Sequence, residues 1–326
     1  MKTPLTESVK LSRRDLLITV ARSASVAAAP ALLGCSQRPQ ALSSQPALRS
    51  DVRLGLDTYT VHRCLAAKDP ANRRDLWWLI DRLPELGCEG LQIDPSHFPG
   101  SEAAILDRLS SAVEPRGLFV EFGMGGWDPQ RLAERIRLTA RFKGRAVRTF
   151  CGDERATPQQ IADYLRLAPP ALREASRVAD DYGVDIAVEN HGDFTAAQLK
   201  ELLDRVAHPR VGACLDTGNS LFRREDPVAC ARTLAPYVRS MHMKDWTMQH
   251  DDSGAPQWHE AVLGRGQVPV QEVLTIVLNE RQDLYLALET PVRPGVDEAE
   301  TIRREWNNAV ANAAAARQIL GRVLTP

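Results

Sequence analysis

Four short apolar runs in the second half of the chain each end in a side chain that binds metals or protons, and no other feature of the sequence restricts the fold as much. They are Ile186-Ala187-Val188-Glu189, Gly212-Ala213-Cys214-Leu215-Asp216, Val238-Arg239-Ser240-Met241-His242 and Leu286-Ala287-Leu288-Glu289. Short runs without polar alternation fit strands buried on both faces, and the stretches between them carry the spacing of amphipathic helices. Strand-helix alternation makes a parallel sheet. If that sheet closes, the carboxyl ends of its strands gather at one rim, where a barrel does its chemistry.

Extended toward the amino terminus, the pattern predicts eight strands, at 53–58, 90–94, 119–123, 146–150, 185–189, 212–216, 238–243 and 284–289. Helices at 73–86, 101–116, 130–142, 195–206, 226–234 and 270–281 alternate with them, several followed by turn formers such as Gly87, Gly117, Gly144 and Gly183. Segment 157–181 is expected as two helical pieces, because Pro169 and Pro170 cannot continue one. A last helix at 297–320 is expected to cover the outside. Segment 246–263, with His250, Trp258 and His259, reads as a long loop after the seventh strand, of the kind that serves as a lid or subunit contact. Eight such units predict an α/β chain with a single (β/α)8 TIM barrel at 51–326, a fold that typically takes about 250 residues. A doubly wound sheet is the competitor, but no GxGxxG turn follows the first strand.

The first 50 residues read as an address. Ser12-Arg13-Arg14-Asp15-Leu16-Leu17 resembles a twin-arginine export motif, and the Ala-rich stretch after it is too short, and too interrupted by Arg22, for a membrane span. Leu32-Leu33-Gly34-Cys35 resembles a lipobox with Cys35 as the acylated residue. The bland alternative is an amphipathic helix packed on the domain. The expected organisation is therefore a signal region at 1–35, a tether rich in Ser, Gln and Pro at 36–50, and the barrel. It implies export by the twin-arginine route to the periplasmic side, with membrane contact through a lipid anchor only. Without Cys35 five cysteines remain and no CxxC pair occurs, so free, mostly buried thiols are expected rather than a disulfide framework or a zinc-thiolate site.

The whole chain carries a formal net charge of -1, but from Asp51 onward it has 34 basic and 40 acidic residues. A mildly acidic domain argues against nucleic acid as a partner. A lone Glu, Asp or His after an apolar run is ordinarily a cap or a surface group. Four at the mouths of neighbouring strands point at one space, where unpaired carboxylates repel each other and a bound cation relieves the repulsion. Three oxygens and one nitrogen without thiolate favour a divalent ion such as Mn2+, with Mg2+ or Co2+ as alternatives, over a structural zinc.

Glu189-Asn190-His191-Gly192, Leu215-Asp216-Thr217-Gly218-Asn219, His242-Met243-Lys244-Asp245, Gly264-Arg265-Gly266 and Leu288-Glu289 together resemble the sugar phosphate isomerase/epimerase superfamily, the xylose isomerase-like TIM barrels, over roughly 52–320. The resemblance implies metal binding by Glu189, Asp216, His242 and Glu289, with Glu189 and Glu289 also acting as the catalytic acid/base pair. It also implies a tendency to form homo-oligomers. A divalent metal stabilises the enediolate left when a proton leaves the carbon beside a ketone, and a carboxylate on each face exchanges that proton. The leading expectation is an isomerase or epimerase whose partner is a small carbohydrate: a keto-sugar, keto-glycoside or cyclitol. A lyase, by β-elimination from a 3-keto-glycoside or inosose-type dehydration, is the rival. A non-catalytic carbohydrate-binding barrel is the third option. A nuclease resembling endonuclease IV needs a richer histidine set than the seven in this chain.

Where the ketose 3-epimerase branch has a second Glu, a His and an Arg, this chain has Thr195, Asn219 and Met248, which argues against a plain ketohexose epimerase. Two more catalytic candidates follow from position. His191 serves as hydrogen-bond donor or proton carrier, or else caps a helix. Lys244, two beyond His242, stabilises an enolate or pairs with Asp216 or Asp245. Asp245 and Asn219 are expected to support ligands. His62, Asp94, His97, Trp127, Arg148 and Asn219 are the substrate-binding candidates, a polar set with an aromatic wall suited to a sugar ring.

Overall fold

The computed structural model describes residues 52–250, 253 and 256–324. The barrel strands are β1 (Arg53–Asp57), β2 (Gly90–Ile93), β3 (Phe119–Gly125), β4 (Lys143–Phe150), β5 (Asp185–Glu189), β6 (Val211–Asp216) and β7 (Val238–Met243). An antiparallel pair, β8 (Trp246–His250) and β9 (Pro256–Glu260), leaves the barrel before β10 (Tyr285–Leu288) completes it. All barrel pairings are parallel, in the closed order β1-β10-β7-β6-β5-β4-β3-β2. The fold is a single-domain (β/α)8 TIM barrel. Near the amino-terminal end its interior is filled by Phe119, which lies so close to Gly90 that a Cβ there would stand 2.4 Å from the ring. Arg53 covers the same ring with its guanidinium, 5.0 Å from the centroid.

The helices are α1 (His62–Leu65), α2 (Leu76–Leu86), α3 (Ala103–Val113), α4 (Pro129–Arg141), α5 (Pro158–Tyr182), α6 (Ala196–Val206), α7 (Pro227–Leu234), α8 (Val270–Glu280) and α9 (Glu298–Leu324). Their starts follow from side-chain oxygens that accept the free N–H groups of the first turn: Asp75 for α2, Asp128 for α4, Thr157 for α5, Thr195 for α6 and Asp226 for α7. Gly87 and Gly183 close α2 and α5 with φ of 67° each, a conformation that favours glycine. Apolar faces such as Leu79, Ile80 and Leu83 of α2 and Leu274 and Val277 of α8 are fully buried between helices and strands.

The structure corrects three expectations. Residues 158–182 form one continuous helix with Pro169 and Pro170 inside it. Pro169 has no N–H to give the carbonyl of Leu165, and Arg205 of α6 donates to that oxygen instead at 3.0 Å. Segment 246–263 is largely a hairpin rather than a loop, with Trp246 paired to Glu260 and Met248 to Trp258. Gly144 is not a turn after a helix but lies within β4, where a Cβ would meet the Val120 carbonyl oxygen at 2.4 Å.

Cys64, Cys88, Cys214 and Cys230 are free and buried, and Cys151 is free and half-buried, as expected. The export motif, Cys35 and the tether lie outside the described residues. Among the described residues no helix is long and apolar enough to cross a membrane.

Candidate metal centre

Register brings the four strand ends together. Glu189 pairs with Cys214 across β5 and β6, Asp216 with His242 across β6 and β7, and the Glu289 N–H bonds the Met243 carbonyl at the end of β10. One ligand atom from each of Glu189, Asp216, His242 and Glu289 lies within 4.8 Å of all the others, and all four residues are buried. His242 turns Nδ1 toward the three carboxylates, with Glu289 Oε2 at 2.9 Å, Glu189 Oε1 at 3.7 Å and Asp216 Oδ2 at 3.9 Å.

The loops after these strands hold the ligands in place. The Asn190 side chain accepts the Asp216 N–H at 2.8 Å and donates to the Asp216 carbonyl at 3.0 Å, clamping β5 to β6. Asp216 Oδ1 accepts the N–H groups of Gly218 and Asn219, which fixes the carboxylate and leaves Oδ2 directed at the cluster. Oδ2 is buried and accepts no well-directed hydrogen bond, although the Lys244 ammonium stands 2.9 Å away. An under-coordinated buried carboxylate oxygen, two further carboxylates and an imidazole nitrogen, with no thiolate among them, suit a hard or borderline divalent cation.

Two cations of the chain itself share the site. Lys244 lies 2.8 Å from Glu289 Oε2 as well as near Asp216, so the pairing with Asp216 weighed from sequence is present, inside the cluster. Burial works to raise Glu289, but Lys244 and His242 outweigh it and hold the carboxyl well below its usual range. Burial also opposes ionisation of Glu189, yet Arg148, whose Nε donates to Glu189 Oε2, keeps it low. Asp216 stays raised because burial outweighs Lys244. His242 is pushed well above its ordinary value: burial opposes the charge, but the Cys214 sulfur beside the ring, followed by Glu189 and Glu289, outweighs it. Burial in turn pushes the Cys214 thiol up.

Beside the cluster opens a cavity of about 460 Å³, lined by Tyr59, His62, Asp94, Arg148, His191 and Glu289 among others. The expected pocket residues therefore divide. His62, Asp94, Arg148 and His191 face this space. His97 stands behind His62, its Nε2 3.0 Å from His62 Nδ1. Asn219 donates to Glu189 Oε1 at 3.1 Å and faces Lys244 Nζ at 3.5 Å. Trp127 is not among the lining residues and packs edge-on to Tyr164 at 5.5 Å. His191 stacks on Phe150 and anchors its Nδ1 on the Gly152 carbonyl at 2.8 Å rather than capping α6, a role that Thr195 takes. Asp245 supports no ligand; its oxygens accept N–H groups of Trp246, Gly264, Gly266 and Val268, holding the glycine-rich turn.

Sequence reasoning missed Asp57, Gln92 and Glu121, which lie side by side in register across β1, β2 and β3 and point into the barrel under His242. Burial pushes Asp57 up to about 7 despite nearby His242. Burial likewise takes Glu121 to about 7, against two backbone N–H groups that favour its charge. The available signal was a polar residue within an otherwise apolar, buried run.

The profile of the xylose isomerase-like TIM barrel family matches residues 80–313, and the chain belongs to that family. The 3-oxo-isoapionate decarboxylase of Pectobacterium atrosepticum is 23% identical over 257 residues, which is 78% of this chain and 85% of that protein. A xylose isomerase-like TIM barrel protein from Mycobacterium smegmatis, solved in complex with magnesium, superposes with a TM-score of 0.64 at 16% identity, covering 84% of this chain and 98% of that one. The D-psicose 3-epimerase of Clostridium cellulolyticum H10, solved with D-tagatose, gives 0.62 at 16% identity over 83% and 99% of the two chains.

Proposed function

We propose that the protein is a divalent-metal-dependent isomerase or epimerase that moves a proton at the carbon beside a carbonyl of a keto-sugar, keto-glycoside or cyclitol. The observation that carries this reading is a buried quartet of Glu189, Asp216, His242 and Glu289 of which one member, Glu289, also lines the adjoining cavity. A divalent ion held by that quartet supplies Lewis-acid polarisation of the substrate carbonyl. The chain supplies the rest. Glu289 faces the substrate and exchanges its proton, and Glu189, kept ionised by Arg148 and oriented by Asn219, is the second carboxylate of the pair. Lys244 balances the negative charge that develops on substrate oxygen, and His62, Asp94 and His191 hydrogen-bond its hydroxyls. The likeness to D-psicose 3-epimerase supports the reading at the level of fold.

The test is incubation of the Mn2+-loaded protein in D2O with a panel of keto-sugars, keto-glycosides and cyclitols. The expected result is carbon-bound deuterium in substrate or product, lost in Glu289→Gln; absence of exchange with every compound overturns the proposal. A second reading, a lyase, is favoured by Arg148. Arg148 is 2% exposed, and among the described residues neither Nη makes a hydrogen bond to protein, the Asp94 carboxylate lying 3.7 Å from Nη1. Such a fork beside the metal suits a substrate carboxylate, and a decarboxylase is among the sequence relatives. Carbon dioxide release or loss of water, seen as a product of lower mass, distinguishes it. Twin-arginine export and acylation at Cys35 belong to the same proposal, and lipid labelling that disappears in Cys35→Ala tests them.

A further inference from the structure

We infer that Gln92 and Glu121 are positioning residues that dictate which nitrogen of His242 carries a proton, and so keep Nδ1 available to a cation. The inference rests on the reading of the quartet as a metal centre. The chain of bonds starts at the backbone: the N–H groups of Arg145 and Ala146 both donate to Glu121 Oε1 at 3.0 Å. Glu121 Oε2 accepts from Gln92 Nε2 at 3.2 Å. Above pH 7, where Glu121 is ionised, its carboxylate has only acceptors to offer, so the Gln92 amide must turn its NH2 toward Glu121 and its oxygen toward His242. That oxygen lies 2.7 Å from His242 Nε2, which therefore carries a proton. The opposite nitrogen, Nδ1, is the one that faces Glu189, Asp216 and Glu289.

Burial shields this polarity from bulk solvent. Gln92, Glu121 and His242 are 1%, 2% and 0% exposed, and the alternative acceptor, Asp57 Oδ2, is 3.9 Å from Nε2 and beyond hydrogen-bond reach. Each link in the chain has one orientation that satisfies its neighbours, and the sense is set at Glu121, two residues removed from the metal.

The deciding substitution is Glu121→Gln, which changes no shape. Its amide oxygen stays with the two backbone N–H groups and its NH2 faces Gln92. Gln92 must then answer with its own oxygen, so its amide flips and presents NH2 to His242 Nε2. Two donors cannot face one another, so Nε2 becomes the acceptor and the ring proton is confined to Nδ1, where it competes with a cation. Adding Gln92→Glu in the same chain restores an acceptor to both neighbours and returns the original net charge.

Calorimetric titration with Mn2+ and nitrogen-15 NMR of the imidazoles, metal-free and Mg2+-loaded, test this at pH 8. In Glu121→Gln the expected Mn2+ affinity is about 10- to 100-fold weaker, the usual cost of disturbing a partner of a metal-bound imidazole. The His242 Nε2 proton should vanish with it, and both should return in the double variant. A merely structural Glu121 would lower the melting temperature and leave the Nε2 proton and the Mn2+ affinity unchanged, which overturns the inference. If Glu121→Gln does not fold, Gln92→Leu decides: unchanged Mn2+ affinity overturns the inference, and a loss of the same order supports it. Wild-type protein that binds no Mn2+ removes the metal-centre reading itself, a different outcome from wild-type binding that Glu121→Gln leaves intact.

Discussion

The half of the barrel mouth built by β5, β6, β7 and β10 and the half built by β1 to β4 both bury polar groups, but they place them by different means. In the first half each of the four residues stands at a strand end, and for Asp216 the main chain just beyond folds back to fix it through the N–H groups of Gly218 and Asn219. In the second half Gln92 and Glu121 lie within strands, inside the barrel, and act through other side chains. Arg148 joins the halves by reaching from β4 to Glu189. On the proposed metal-centre reading the contrast is a division of labour: one half would offer the atoms that meet a cation, and the other would decide how those atoms are presented and what else fits beside them.

Substitutions that test this division should have effects graded by position. Glu189→Gln or Glu289→Gln removes a group proposed both to hold the ion and to move a proton, so kcat should fall by about 10²- to 10⁴-fold, read from the deuterium-exchange rate. Equal activity in either variant would dissolve the distinction between the halves. Arg148→Met, on the bridge between them, should cost about 10- to 100-fold in kcat/KM, the scale of a lost hydrogen bond to a charged group, with Mn2+ binding retained.

A smaller and graded effect is expected from pH. The transition of His242 lies well above its ordinary value, so below that transition a binding ion must displace a second ring proton, from Nδ1. Mn2+ affinity should therefore weaken as pH falls, by up to about tenfold per unit for one proton, and level off above the imidazole's own transition. Calorimetry in buffers of different ionisation enthalpy measures the proton released; release of none would show that the carboxylates do not hold that charge. The smallest effect should come from outside both halves. Thr157→Ala removes the cap of α5 and should lower stability by about 1 kcal/mol by denaturant titration, with Mn2+ binding unchanged.

The ligand half was readable from sequence because a charged residue closing an all-apolar run is costly to bury without a partner, and four such runs in succession point to one partner shared among them. The other half was hidden. In Leu91-Gln92-Ile93 and Val120-Glu121-Phe122 a single polar residue in a short strand looks like the solvent face of an amphipathic one, and only closure of the sheet turns that face inward. Trp127 was placed at the pocket because it follows β3, yet its direction depends on packing against Tyr164, which spacing along the chain does not encode. The hairpin β8–β9 carried a turn signal in Asp252-Ser253-Gly254, but Met248, Gln249 and His250 are exposed and lack the apolar alternation that marks a half-buried strand. Pro169 and Pro170 misled for a related reason: the rule against proline within a helix assumes that the stranded carbonyl finds no other donor.

That stranded carbonyl has a further consequence. Because Leu165 receives the guanidinium of Arg205, a flaw in one helix becomes a socket for its neighbour, and α5 and α6 are keyed to each other at a single depth along their length. A lock of this kind resists sliding of α5 along α6, and so works alongside the ladder between β5 and β6, which already fixes the relative height of Glu189 and Asp216.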